Sequence, residues 1–206
     1  MMVRFLKKKN WHSIFECHVP FFLTSATSCI LCAKFENFRK SAEDLNNLPY
    51  EHRFEIIYES INGGHVKIHI DYLPGKDHNV LLAIAIDKAE KGHKVELLPI
   101  LNDTEVEKRS ILLNGSKPNK NPDFRINGVF VELEGVTKDK NDTISNAIKN
   151  GHDQANHVII NLKSIKNFDE LHRIAKGRLK THVELLSIEF YNNGVSIGII
   201  KKEDGS

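Results

Sequence analysis

The segment Asn121 to Gly135, NPDFRINGVFVELEG, sets Asp123, Arg125, Glu132 and Glu134 around a central Asn127-Gly128. Asn-Gly is the preferred two-residue hairpin turn because both positions tolerate positive φ. Residues two apart in a strand face the same way. Asp123 therefore shares a face with Arg125, and Glu132 with Glu134, while Phe124, Ile126, Val131 and Leu133 turn to the opposite face and can pack. Carboxylates and a guanidinium gathered on one sheet face suit two kinds of phosphodiester chemistry. Oxygens of Asp123, Glu132 and Glu134 could hold magnesium, which polarises a phosphodiester and activates water. Alternatively, no metal is needed: Arg125 and a nearby His or Lys stabilise a phosphorane, a carboxylate or histidine moves the proton, and the RNA 2'-hydroxyl is the nucleophile. The plain alternative is a solvated face on which Arg125 pairs with Glu132 or Glu134, an interaction worth little.

A second group of candidates follows in QANHVIIN, residues 154 to 161. Gln154, Asn156 and His157 lie just before or at the next strand, whose beginning approaches the charged face if it runs parallel to a hairpin arm. His152 and His157 titrate near neutrality and could act as acid or base; each also reads as a helix-end or half-buried structural histidine. Gln154 could bond a phosphate or cap the preceding helix. His65, His69, His78 and His93 are scattered near turns with no metal-ligand spacing. Asp77 in Lys76-Asp77-His78 reads most simply as a helix cap. Lys117, Lys120, Lys138, Lys140 and Lys149 could guide a phosphate backbone or line solvated loops. No dinucleotide-binding glycine fingerprint, Walker loop or Gly-x-Ser-x-Gly occurs.

The elements that must position these residues follow from punctuation and periodicity. Residues 41–49 read as a short helix stopped by Pro49. Residues 53–60, a strand or short helix, and the alternating 66–70 form a hairpin over Asn62-Gly63-Gly64. The apolar run 80–91 predicts a helix closed by Gly92, and 94–98 a strand stopped by Pro99. Residues 101–121 read as a loop or irregular arm. The hairpin 124–126 with 129–133 comes next, then a helix from Asp142 or Thr143 to about 150. Residues 157–162 form an apolar central strand, 168–179 a helix, and 183–190 with 195–201 a last hairpin over Asn192-Asn193-Gly194. The order predicts an α+β fold, a central mixed or antiparallel sheet flanked by helices.

The chain of 206 residues, with a formal net charge of +2, has room for one full core and is too weakly basic to bind nucleic acid except through local patches. The 11 histidines add charge below about pH 6.5. Cys17, Cys29 and Cys32 all lie near the start, so the remainder depends on no disulfide and suits a reducing compartment. Residues 1–40 are a poorly defined N-terminal segment: Arg4 and Lys7 to Lys9 precede an apolar run from Val19 to Ala33. That pattern is shared by a weak signal sequence and by a misassigned start. Cys29-x-x-Cys32 has a zinc-like spacing without a second pair, so apolar cysteines are the default. Residues 41–206 are expected to form a single nuclease-like domain.

PDFRINGVFVELE, followed by a helix and QANHVIINL, resembles the C-terminal nuclease domains of contact-dependent growth inhibition toxins and related bacterial polymorphic toxins. Pro122-Asp123, Asn127-Gly128, Glu132 and Gln154-Ala155-Asn156 carry the resemblance, which spans roughly residues 65 to 200. It implies a fold like that of barnase, EndoU, colicin E5 and RelE, and a ribonuclease, often for tRNA. Asp123, Arg125, Glu132, Gln154 and His157 are then the candidate site residues, with no cofactor. It also implies action in the cytoplasm after delivery by a larger system, a cognate immunity protein, and no stable membrane partner. Where many relatives carry Lys, this chain has Glu134. Asp123 with Glu132-x-Glu134 is thereby also similar to the PD-(D/E)xK nuclease pattern with its lysine replaced. That alternative is a metal-dependent DNA nuclease with Mg2+ on Asp123, Glu132 and Glu134. A further alternative is a catalytically inactive interaction domain.

Overall fold

The computed structural model describes residues 40–164 and 166–202. The basic end, the apolar run and the cysteines lie outside the described residues, as does most of the polar tail.

Eight strands form one mixed sheet in strict chain order. They are β1 (Phe54–Glu59), β2 (His65–His69), β3 (Lys94–Leu97), β4 (Phe124–Ile126), β5 (Val129–Gly135), β6 (His157–Leu162), β7 (Ser187–Asn192) and β8 (Val195–Lys201). The helices are α1 (Ala42–Asn47), α2 (His78–Glu90), α3 (Val106–Leu112), α4 (Asn141–Gln154) and α5 (Phe168–Thr181), with a 3-10 turn at Tyr50–His52. Short turns join the antiparallel pairs β1–β2, β4–β5 and β7–β8, and β3–β4 is antiparallel too. The parallel pairs β2–β3, β5–β6 and β6–β7 are joined through α2, α4 and α5, because only a long connection returns the chain in the same direction. The architecture is the expected α+β arrangement of a mixed sheet flanked by helices.

Local chemistry accounts for the joints. Asn127 and Gly128 both adopt positive φ, 50° and 86°, as the tight hairpin requires, and Asn193-Gly194 repeats the device. Asn167 caps α5 by accepting from Asp169 N at 2.8 Å. Helix α2 is apolar on most of its circumference, which suits a helix enclosed on several sides. It touches β1, β2, β3 and β8, so the twisted sheet bends around it.

The two sheet faces carry separate cores. On one, α2 packs Leu81, Ile84, Ala85 and Ala89 against Val66, Val95, Leu97, Phe124, Val131, Ile159 and Tyr191. On the other, α4 and α5 pack Ile144, Ile148, Leu171, Ala175 and Leu179 against Val158, Ile160, Leu162, Ile188 and Phe190. A third cluster joins Leu45, Phe54, Leu98, Leu101, Leu112 and Leu113, with Phe130 against it. Among the described residues no helix is long and apolar enough to cross a membrane.

Three expectations change. The arm 101–121 contains α3, whose buried side is Lys108, Arg109 and Leu112. Lys108 bonds Asp71 at 3.2 Å, and Arg109 bonds the carbonyls of Leu101 and Lys120. Two cations on the inner face erase the apolar period that marks a helix. Helix α4 begins at Asn141 and continues to Gln154, so Gln154 belongs to its last turn. Residues 183–186 precede β7 rather than opening it.

Candidate active site

The register across β3, β4 and β5 aligns Glu96, Arg125 and Phe130 on one face, and Leu97, Phe124 and Val131 on the other. Asp123, just ahead of β4, shares the first face with Glu132 and Glu134. Backbone bonds fix the first two acids against each other. Leu133 N donates to Asp123 Oδ2 at 3.0 Å, and Asp123 N donates to Glu132 Oε2 at 3.3 Å. Asp123, Glu132 and Glu134 are each half-buried. Among the described residues none of them forms an ion pair.

Burial and mutual repulsion both disfavour ionisation here. Burial pushes the Asp123 carboxyl up; the bond from Leu133 N opposes this, and the charges of Glu134 and Asp77 add to it. Burial pushes Glu132 up as well, reinforced by Asp123 and then Glu134, with Lys120 a small opposing influence. Glu134 is raised by burial and then by Asp77. Two carboxyls this close cannot both ionise freely near neutrality unless a cation joins them. Tyr72 borders the pair: its hydroxyl lies 3.0 Å from His78 Nδ1, and burial followed by the charge of Asp123 raises its pKa.

Arg125 is turned elsewhere. Its Nε donates to Glu96 Oε2 at 2.6 Å and its Nη2 to the Tyr50 hydroxyl, which itself donates to Glu96 at 2.7 Å. The guanidinium also lies 5.4 Å from the Tyr50 ring centroid, 5.8 Å from Phe54 and 5.7 Å from Phe130. His157 pairs with Val131 and Ser187 across the sheet, which puts its side chain on the face opposite Glu132. There its Nδ1 is 2.7 Å from Ser187 Oγ, and burial, then Lys201, lowers its pKa. Gln154 is half-buried at the end of α4, the helix that overlies Glu134. Gly151 permits that overlay: a Cβ there would lie 3.1 Å from Glu134 Cγ and 2.6 Å from Val158 Cγ1.

The structure therefore brings Asp123, Glu132 and Glu134 together, and sets Arg125 and His157 in pairings of their own. Sequence reasoning missed Glu96 and Tyr50 as the partners of Arg125. It placed Asp77 at the N-cap of α2, where it stands, but missed the reach of its side chain. Asp77 makes no capping bond, and its charge instead reaches Asp123 and Glu134. The signal for Glu96 lay in the period-two pattern of β3, where it faces away from Val95 and Leu97.

A donor set made of carboxylate oxygens, raised by burial and then by repulsion and without an ion-paired cation among the described residues, fits a hard divalent ion such as Mg2+. Among the described residues no three His, Cys, Asp or Glu side chains are placed to hold an ion as they stand. Mg2+ commonly takes only one or two carboxylates and completes its shell with water and substrate phosphate. Asp123 and Glu132 meet that smaller requirement.

The chain is thus an α+β domain whose mixed sheet carries a close acid pair on one face. Residues 120–192, from Lys120 through β7, match the family model of the contact-dependent growth inhibition CdiA C-terminal domain. Asp123, Glu132 and Glu134 all lie within the matched residues. Among solved structures, the chain is similar to a CdiA-CT/CdiI toxin and immunity complex from Burkholderia pseudomallei. The identity is 19%, over 68% of this chain and 100% of that one, with a TM-score of 0.39. No curated protein matches.

Proposed function

We propose that this toxin domain cleaves RNA, tRNA foremost, and that Asp123 and Glu132 are its central catalytic groups. The observation that supports this reading is the acid pair itself: two half-buried carboxyls tied by backbone bonds, both raised by burial and Glu132 further by Asp123, with no ion-paired cation among the described residues. Such a pair is costly to keep unless the site uses it. The order of acids and elements suits a PD-(D/E)xK-like core better than a barnase-like one, since β5 runs into α4 and a parallel β6.

Asp123 and Glu132 would hold a divalent cation, which when bound would polarise the phosphodiester and lower the pKa of attacking water. The remaining work falls to the chain. The bond from Leu133 N orients Asp123, and that from Asp123 N orients Glu132. Glu134 sits beside them as a proton acceptor. Lys120, the cation acting on Glu132, would offer positive charge to a departing or flanking phosphate. Arg125 braces the same face of the sheet through Glu96 and Tyr50.

Incubating the folded chain with total RNA tests the reading. Cleavage is expected, with loss of about a hundredfold or more in Glu132→Gln, the scale of losing an acid/base or metal-holding group. EDTA is expected to stop it. Cleavage that survives EDTA would move the chemistry to a metal-free route, with Glu132 and Asp123 as acid and base around the 2'-hydroxyl. Absence of RNA cleavage by the parent would end the proposal. A cell that makes such an enzyme must protect its own RNA, so a cognate immunity protein is the expected partner and the cytoplasm the expected site of action.

A further inference from the structure

Three groups able to carry positive charge meet beside the acids, each from a different element. Lys117, in the loop after α3, places Nζ 3.2 Å from His152 Nδ1 and also donates to the His152 carbonyl. His152 lies in the last turn of α4 and His182 directly follows α5. Their ring centroids are 4.9 Å apart. His182 Nε2 is buried and, among the described residues, has no hydrogen-bond partner.

The cluster adjoins the acid pair. Gly151, next to His152, is the residue that lies on the stem of Glu134. Lys120 shares a turn with Lys117, its N–H donating to the Lys117 carbonyl at 3.2 Å, and Lys120 is also the cation acting on Glu132. Lys117 further lines an open cleft of about 200 Å³ with Arg109, Ser116, Asn119 and the exposed Asp103, which lies 3.8 Å from Arg109 Nη1.

Little negative charge answers these groups. Glu184 Oε2 is 3.9 Å from Lys117 Nζ, but its side chain is 71% exposed and therefore well screened. Asp153 points from an exposed position of α4. Burial pushes Lys117 down, and burial followed by the charges of Lys117 and His182 pushes His152 down. A desolvated group of this kind regains its charge when an anion arrives.

We propose that Lys117, His152 and His182, with Lys120, form a phosphate-binding wall beside Asp123 and Glu132 that takes an RNA phosphate flanking the one cleaved. The assignment of that phosphate to RNA rests on the nuclease reading; the anion site itself does not. One anion would accept from the Lys117 ammonium and from both imidazoles, which then hold an added proton. Binding should consequently strengthen as pH falls through the imidazole range.

The test follows the imidazole signals of His152 and His182 by NMR across pH in the full chain bearing Glu132→Gln. The probes are inorganic phosphate and a short 2'-O-methyl RNA. Both are expected to raise the two titration midpoints. In Lys117→Met the RNA is expected to bind several-fold more weakly, with a salt slope shallower by about 0.7 for the lost phosphate contact. Lys120→Met keeps the Lys117–His152 bonds and is expected to weaken binding similarly, which guards against a merely misfolded loop. Unchanged midpoints with both probes overturn the wall. A response to free phosphate with none to RNA overturns the RNA assignment. RNA cleavage by the parent with binding indifferent to Lys117 and Lys120 refutes the wall and leaves the nuclease standing. Phosphate-shifted midpoints without cleavage do the reverse.

Discussion

The acid pair makes the stability of this domain fall as pH rises. Asp123 and Glu132 both have folded-state pKa values above their ordinary ones, first through burial. A raised carboxyl binds more protons folded than unfolded, so its contribution is complete below the ordinary carboxylate range and is lost as pH climbs through the raised values. Groups held low, such as buried His69 at about 4, act in the opposite direction and lose stability as pH falls. Comparing parent with Glu132→Gln separates the two. Urea unfolding at pH 5 and pH 8 is expected to show the parent losing more stability between those pH values than the variant. An equal loss would mean that the pair ionises as freely as in the unfolded chain. Arg125 supplies a second prediction. Arg125→Lys forfeits the bond to Tyr50 and the place of the guanidinium among the Tyr50, Phe54 and Phe130 rings, an expected loss of about 1–3 kcal/mol. Cleavage per folded molecule should hold. A collapse of cleavage at unchanged stability would restore Arg125 to the reacting groups. The strand period in Asp123, Glu132 and Glu134 was sufficient to put three acids on one face. It could not foresee the partners of Arg125, since Glu96 is 29 residues away and Tyr50 is 75. Long-range pairing of that kind has no local signature.

At the scale of elements, turn chemistry was the most legible signal. Asn127-Gly128 and Asn193-Gly194 marked their hairpins because few other residues adopt positive φ there. Helix α3 was hidden because Lys108 and Arg109 fill its inner face, their charges met by Asp71 and by backbone carbonyls rather than solvent. Nothing in VEKRSIL advertises that those partners exist. Helix α4 was visible, but its reach to Gln154 was not, for its last turn holds polar residues whose value is positional. The contact of α4 with β5 gives a direct test. Gly151→Ala improves helix propensity by up to about 1 kcal/mol, yet its Cβ would meet Val158 at 2.6 Å and the stem of Glu134 at 3.1 Å. Overpacking of this kind costs about 1–3 kcal/mol. The net expectation is a less stable protein in denaturant, with RNA cleavage reduced because Glu134 is displaced. A more stable variant would show that α4 rides higher above the sheet.

For the molecule as a whole, what needs explaining is why an eight-stranded sheet bends around one early helix. The packing of α2 against Val66 and Val95 follows from adjacency in the chain. Its hold on the far strands does not. Lys88 forms an ion pair with Glu189 on β7, their side chains 11% and 9% exposed, and Glu189 also accepts from Ser196 at 2.9 Å. Asp87 accepts from the Tyr191 hydroxyl at 2.6 Å. These links join residues roughly a hundred positions apart, and they fasten α2 across the same sheet whose opposite face carries the acids. Breaking a buried pair leaves one charge stranded, whereas replacing both partners removes the desolvation cost altogether. Glu189→Leu alone is therefore expected to cost about 3–5 kcal/mol, and Lys88→Met alone a similar amount. The double replacement should recover most of that loss. A double-mutant cycle by urea unfolding measures the coupling. If the pair serves only stability, the double variant folds and cleaves RNA as the parent does. If it also sets the curvature, the double variant recovers stability without recovering cleavage, because β5 and its acids no longer meet Asp123 in the middle of the bent sheet. Additive single effects, with no coupling, would rule out both roles and leave the apolar contacts of α2 as the only cause of the bend.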